Sequence, residues 1–161
     1  MSDIIIINTG GTFNKKYNRF SGEQEIVKNN IEDIIELWLA NFKVMDLINK
    51  DSLEFTDHDR NFLKNSINSL EYKKVIIVHG TDTIQLSADM FEDTDKIIVF
   101  TGAMVPYNSE KVEAVANLAS AIGFLEATNK SGVYISMNGI FGTYDEIKKD
   151  KDKGKFVKVK K

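Results

Sequence analysis

The sequence predicts an α/β domain built on a doubly wound, mostly parallel sheet, with a β-hairpin at its carboxy-terminal end. Three observations carry that expectation. Five short apolar runs, Ile4 to Ile7, Val44 to Ile48, Val75 to Val78, Ile97 to Phe100 and Val133 to Met137, are β-branched and continuous rather than alternating, as strands covered on both faces require. Segments that read as helices separate them, and strict alternation of strand and helix implies a parallel sheet with right-handed crossovers. The length of 161 residues suits one domain able to bury about 70% of its unfolded surface.

The elements are justified in order. Met1-Ser2-Asp3 leads straight into the first apolar run, which is too short and too acid-flanked for a signal peptide. A cytoplasmic location is therefore expected, and nothing in the chain reads as a membrane span. From Asn30 to Phe42 a period near 3.6 places Ile31, Ile34, Ile35, Trp38 and Leu39 on one face and predicts a helix. Thr56 is the predicted cap of the next helix, with Phe62, Ile67 and Leu70 pointing inward and Lys64 and Asn65 outward. Ser109 to Ala127 is the longest predicted helix, with Val112, Val115, Ala116, Ala119, Ile122, Phe124 and Leu125 available for burial. Its Gly123 costs about 1 kcal/mol relative to alanine. From Gly139 onward no helical period remains, and Phe156, Lys158 and Lys160 alternate with Val157 and Val159, predicting a terminal hairpin or edge strand.

Composition narrows the chemistry. There is no cysteine, so a disulfide framework, a thiolate metal site and a cysteine nucleophile are all excluded. His58 and His79 alone cannot build a multi-histidine metal site. The formal net charge of -3 argues against nucleic acid as the main partner, because neutralising phosphates needs a basic face. The tail lysines read as a solvated edge.

In the doubly wound class, Rossmann-like or flavodoxin-like, ligands bind outside the carboxyl ends of the strands where the strand order reverses. The simplest order for these units, 2-1-3-4-5, sets the loops after strands one and three on either side of that crevice. Those loops are Thr9-Gly10-Gly11-Thr12 and His79-Gly80-Thr81-Asp82-Thr83, and a third, Thr101-Gly102-Ala103-Met104, follows strand four. Each puts glycine beside a threonine hydroxyl, so backbone N–H groups can approach an anion or a developing oxyanion. Neither a Walker loop nor the three-glycine dinucleotide pattern is present, which lowers a nucleotide-binding reading. A threonine hydroxyl needs a base to become a nucleophile. A lysine desolvated beside Asp82 can serve, and the tail offers Lys148, Lys149 and Lys151; composition does not choose among them.

Taken together, Thr9-Gly10-Gly11-Thr12-Phe13, His79-Gly80-Thr81-Asp82-Thr83 and Thr101-Gly102-Ala103-Met104 with Pro106 resemble the bacterial-type L-asparaginase and glutaminase family, from the first strand to about Lys151. The resemblance implies a single amino-terminal domain over residues 1–161, without the smaller carboxy-terminal domain of typical members. It implies hydrolysis of asparagine or a similar small amide to the acid and ammonia. Thr12 matches the nucleophile that forms an acyl-enzyme, and Thr81 with Asp82 matches the second threonine and its acidic neighbour. Lys149 matches the family's lysine, and Tyr17 is the candidate for its lid tyrosine, with Gly22 as a hinge. Ser52 matches the serine that holds the substrate's α-carboxylate, and the resemblance puts Gly11, Leu53, Gly80 and Ala103 with it on the substrate side, Ala103 in the oxyanion hole beside Thr81. Two departures stand out: Leu53 replaces a residue that is often small or polar, and Glu113 stands where aspartate is common. The family completes its site with an acidic residue from the carboxy-terminal domain of a neighbouring subunit, so recognition of the substrate amine falls here mainly to Asp82. The resemblance also implies a homodimer or homotetramer, and that no metal or organic cofactor is needed. The alternative is a module that binds aspartate or asparagine without turning it over.

Overall fold

In a computed structural model, residues 3–28, 30–38 and 40–159 are described. The five apolar runs are all strands of one sheet: β1 (Ile4–Gly10), β4 (Lys43–Lys50), β5 (Lys74–Val78), β6 (Ile97–Thr101) and β7 (Gly132–Met137). They pair in parallel in the order β4-β1-β5-β6-β7, which is the expected 2-1-3-4-5. The sheet then gains a sixth, antiparallel strand, β8 (Ile140–Thr143), paired with β7. Every residue of β1 and β6 is buried, as two-sided cover requires. The edge position of β4 leaves Ile48 as its only buried residue, so two-sided cover does not extend to that strand.

Helix α2 (Asp57–Ser69) starts as expected. The Thr56 hydroxyl accepts from the Asp59 N–H while the Asp59 carboxylate accepts from the Thr56 N–H, a reciprocal cap worth about 1 kcal/mol. Its inward face is Leu63 and Ile67; Phe62 lies outside it, because residues four apart stack on one face and residues five apart do not. Helix α1 (Asn30–Ile35) is shorter than the period predicts. After it the chain tightens, the Trp38 N–H donating to the Ile35 carbonyl at 2.9 Å, and Trp38 then packs edge-on against Phe42 with ring centroids 6.4 Å apart. Leu39 and Lys160, which entered the expected helix and tail, lie outside the described residues.

Helix α4 (Lys111–Ala127) begins two residues later than expected, where the Glu110 side chain accepts from the Val112 and Glu113 N–H groups. Its buried face is Ala114, Asn117, Leu118, Ala121 and Leu125, whereas Val112 is largely exposed and Ala116 and Ala119 face outward. Apolar residues occupy much of this helix's circumference, so periodicity did not select a face. The small Ala114 and Ala121 let the helix approach the sheet, and the Asn117 amide donates to the Gly102 carbonyl at 2.9 Å, orienting it.

Three elements carried no clear sequence signal: the hairpin β2 (Lys15–Asn18) with β3 (Glu23–Ile26), the short helix α3 (Ile84–Asp89), and the role of β8 as a partner of β7. The expected terminal hairpin is β9 (Ile147–Asp150) with β10 (Lys155–Lys158), whose Ile147 and Phe156 join the core. Two apolar clusters fill the faces of the sheet, one under α2 and α3 and the other under α1 and α4. Among the described residues, no helix is long and apolar enough to cross a membrane.

A Cβ on Gly123, inside α4, meets nothing within 4 Å. Gly123→Ala is expected to stabilise the domain by about 0.5–1 kcal/mol, measured as a raised urea midpoint at unchanged slope.

Candidate active site

The loop after β1 is locked by asparagines. Asn8 Oδ1 accepts from the Gly10 N–H at 3.1 Å and from Asn14 Nδ2 at 2.9 Å, while Asn14 Nδ2 also donates to the Gly10 carbonyl at 2.8 Å. The Gly11 N–H donates to the Lys50 carbonyl at 3.0 Å, tying the loop to the end of β4. Thr12 then opens a single 3₁₀ turn, Thr12–Asn14, half-buried at its start and anchored by the fully buried Phe13. Gly11 has φ +73°, and a Cβ on it would lie 2.6 Å from the Gly80 nitrogen and Cα. Only glycine permits that approach, which sets the loops after β1 and β5 backbone against backbone.

The second loop is packed just as closely. A Cβ on Gly80 would meet the Ser52 side chain at 2.6 Å, and one on Gly102 would run into the His79 carbonyl. Ser52 is 1% exposed, in a 3₁₀ turn whose cap, Asp51, accepts from the Leu53 N–H at 3.0 Å. Lys149 reaches across from β9. Its Nζ donates to Thr81 Oγ1 at 2.9 Å and to Asp82 Oδ1 at 2.7 Å. Alternation along β9 accounts for the choice of lysine: Ile147 and Lys149 share the inward face, Lys148 is exposed, and Lys151 lies in the turn beyond the strand. Gln85 Nε2 holds the start of β9 in place by donating to the Ile147 carbonyl at 2.6 Å and the Tyr144 carbonyl at 3.2 Å.

The third loop is held from behind. Glu113 accepts from the Met104 and Val105 N–H groups, each at 2.9 Å, and Asn117 bonds the Gly102 carbonyl, so the buried Ala103 is fixed between them. Glu113, a departure in the sequence, thus serves as a loop clamp.

Gly11, Thr12, Ser52, Gly80, Thr81, Asp82 and Ala103 lie in loops at the carboxyl ends of β1, β4, β5 and β6, and Lys149 reaches Thr81 and Asp82 from β9. Tyr17 and Leu53 stand apart from the interior of this cluster. Tyr17 lies on β2, 58% exposed, beside Phe20, Glu25 and Val27 in a surface cleft of the hairpin. Gly22 is the left-handed residue of the tight turn between β2 and β3, its N–H donating to the Asn18 carbonyl at 2.8 Å. The Leu53 side chain is 71% exposed at the rim. A separate cleft lined by Lys64, Leu70, Phe91 and Lys96 lies at the opposite, amino ends of β5 and β6, where Lys96 Nζ donates to the Leu70 and Tyr72 carbonyls of the loop between α2 and β5. Sequence reasoning missed Arg60 and Thr83. Thr83 stood inside the quoted motif, but nothing local marks Arg60 as buried.

The electrostatics follow from burial. Complete burial is the main cause that pulls His79 from its ordinary 6.5 to about 4, the positive charge of Arg60 adds to the effect, and the hydrogen bond to Gly80 opposes it. The Gly80 carbonyl can only accept, so Nδ1 carries the proton, and Nε2 accepts from the Ser87 hydroxyl, both at 2.8 Å. His79 is thus a neutral structural bracket for the loop. Burial tends to raise the Asp51 carboxyl, but the Lys15 ammonium 2.6 Å away, the Leu53 N–H and the charge of Lys149 outweigh it and hold it below the usual range.

Fold and site together define a doubly wound α/β domain that presents a threonine, lysine and carboxylate cluster at the switch point of its sheet. Residues 3–151 match the asparaginase family's amino-terminal domain, and the chain belongs to that family. Over 92 residues it is 34% identical to a glutaminase-asparaginase of Pseudomonas fluorescens biotype A, a match covering 53% of this chain and 24% of that protein. A glutaminase-asparaginase of Pseudomonas aeruginosa is 33% identical over 91 residues, with the same coverage. The chain therefore matches about a quarter of the length of these curated relatives. Among solved structures, the thermostable L-asparaginase from Thermococcus kodakarensis superposes with a TM-score of 0.81 over 97% of this chain and 51% of that one, at 19% identity. A probable cytoplasmic L-asparaginase from Campylobacter jejuni gives 0.71 at 26% identity, over 89% of this chain and 46% of that one.

His79 yields a test of the loop's packing. The unfolded chain takes up a proton near pH 6.5 and the folded one only near pH 4, so His79 favours folding above pH 6.5, and that contribution is lost as pH falls through this window. The loss is about 3 kcal/mol. Urea unfolding at pH 7, 5.5 and 4.5 is expected to show this decline, and His79→Gln to flatten it.

Proposed function

We propose that this chain is the catalytic amino-terminal part of an asparaginase-like amidohydrolase acting on asparagine or a similar small amide. The single observation that supports the reading best is the Lys149 ammonium bonded at once to Thr81 Oγ1 and Asp82 Oδ1, on a loop packed directly against the one that carries Thr12. A site that only binds an amino acid has no need of a lysine on a threonine hydroxyl.

In this reading Thr12 Oγ attacks the carbon of the side-chain amide, and its proton passes to the amide nitrogen. The carbonyl oxygen takes the negative charge, and N–H groups of the Ala103 loop, together with Thr81, stabilise it. Collapse of the tetrahedral intermediate breaks the C–N bond, and the nitrogen leaves as ammonia with the proton it has gained. Water, hydrogen-bonded by Thr81, whose hydroxyl the Lys149 ammonium holds in place, then adds to the Thr12 ester; one of its protons passes to Thr12 Oγ as the ester C–O bond breaks, and the acid is released. Asp82 holds Lys149 and takes the substrate's α-amino group, while Ser52 takes the α-carboxylate. Tyr17, on its exposed hairpin, reaches the ligand only if β2 and β3 move inward.

The proposal extends to the setting. Residues 1–161 act as one domain, in the cytoplasm, and self-associate as a homodimer or homotetramer. The Campylobacter jejuni relative described as cytoplasmic supports the location.

Ammonia release from L-asparagine and L-glutamine is the direct assay. Thr12→Ala and Thr81→Val are each expected to lower the rate at least 100-fold, as loss of a nucleophile or its partner does. Lys149→Met should fall by a similar factor with little change in KM. Equal rates in the unsubstituted protein and Thr12→Ala would refute the acyl-threonine route.

A further inference from the structure

Among the described residues, Arg60 is a buried cation without a counter-charge. It is 8% exposed, and among the described residues no carboxylate lies within ion-pairing distance of it. Asp59, its neighbour in α2, is engaged by Lys50 at 2.8 Å and by Thr56. The Arg60 guanidinium donates to the Phe55 carbonyl at 3.2 Å and to Thr83 Oγ1 at 3.1 Å, and its Nε is buried with no partner. A desolvated, unneutralised guanidinium is costly to fold around, so its retention calls for a compensating negative charge nearby.

The hydrogen bonds lead to where that charge belongs. Thr83 Oγ1 accepts from Arg60 and donates to the Ser52 carbonyl at 2.8 Å, and the Thr83 N–H donates to Ser52 Oγ at 3.3 Å. Ser52 Oγ thus receives a hydrogen, and no acceptor for its own hydrogen is found among the described residues. A buried hydroxyl with its donor free, backed through one threonine by an uncompensated guanidinium, is arranged to meet an anion.

We propose that Arg60 is a positioning residue for carboxylate recognition, acting through Thr83 to orient Ser52 and supplying the buried positive charge that makes this corner of the site select ligands with a free α-carboxylate. The inference rests on the site reading given above and names a specificity determinant for it. The charge of Arg60 is also felt at His79, on the same loop as Thr83.

The test compares the unsubstituted protein with Arg60→Met, Arg60→Lys and Thr83→Val, each checked for folding by thermal melting. Two ligands are titrated by calorimetry: L-aspartate, and isoasparagine, in which a neutral amide replaces the α-carboxylate. Arg60→Met is expected to weaken L-aspartate about tenfold or more and isoasparagine by less than about threefold. Arg60→Lys should restore most of the loss, since it keeps the charge, and Thr83→Val should reproduce it with the charge in place but the relay cut. Should Arg60→Met fail to fold, Thr83→Val and Arg60→Lys decide the matter by the same ratio of the two ligands. Equal weakening of both ligands, or none, overturns the role of Arg60. Ammonia release on the same proteins separates the two ideas. Binding of L-aspartate with the expected ratio but no ammonia from any amide overturns the hydrolase reading and leaves Arg60 in its role. Turnover with an unchanged KM in Arg60→Met does the reverse, and undetectable binding of L-aspartate by the unsubstituted protein overturns the carboxylate site itself.

Discussion

Gly11, Gly80 and Ser52 are stacked so closely that a single added methyl at either glycine would stand 2.6 Å from its neighbour. This contact is the constraint on which the rest of the site depends. Three strand ends of a parallel sheet are about 4.8 Å apart, but loops that leave them normally diverge because their side chains need room. Removing those side chains draws the loops together, so backbone donors and threonine hydroxyls converge on one small volume. The asparagines at positions 8 and 14, Glu113 and Asn117 then hold the loops from outside, with hydrogen bonds that no water needs to supply.

Close packing of this kind has an electrostatic consequence. Buried behind the loops are His79, which burial keeps neutral, and Arg60, which cannot lose its proton. On the open side stand Asp82 and Lys149, paired across elements 67 positions apart in the chain. A positive interior and a zwitterionic rim make a crevice suited to a small polar ligand with charges of both signs. The same interior explains why a histidine at the strand end is a bracket here and not a base.

Much of the fold could be read along the chain. Continuous β-branched runs at Ile4 to Ile7 and Ile97 to Phe100 allow little but buried parallel strands, and Thr56 with Asp59 marks a helix start by local chemistry alone. Where two answers satisfied the same local rule, the reading failed. The α4 helix carries apolar residues on several sides, and the face with Val112, Ala116 and Ala119 satisfied periodicity as well as the face with Ala114 and Leu118. The α1 helix ends at Ile35 although the apolar period runs on, and beyond it Trp38 and Phe42 meet edge to face. The hairpin of β2 and β3 has mostly exposed side chains, so no hydrophobic alternation announced it.

The candidate site divides along the same line. By itself the sequence determined the class of sheet, its strand order and the three glycine-threonine loops, because each depends on residues close together in the chain and on rules of handedness that any L-polypeptide obeys. It narrowed the lysine to Lys148, Lys149 and Lys151. Family resemblance pointed to the middle one, but only the tertiary structure brings that residue to Thr81, through the pairing of β9 with β10 and the anchoring of β9 by Gln85. It likewise decided that Tyr17 stands outward on a hairpin and that Arg60 lies buried behind Ser52. Burial of a charge and the meeting of distant side chains are properties of how elements pack, and no local pattern encodes them.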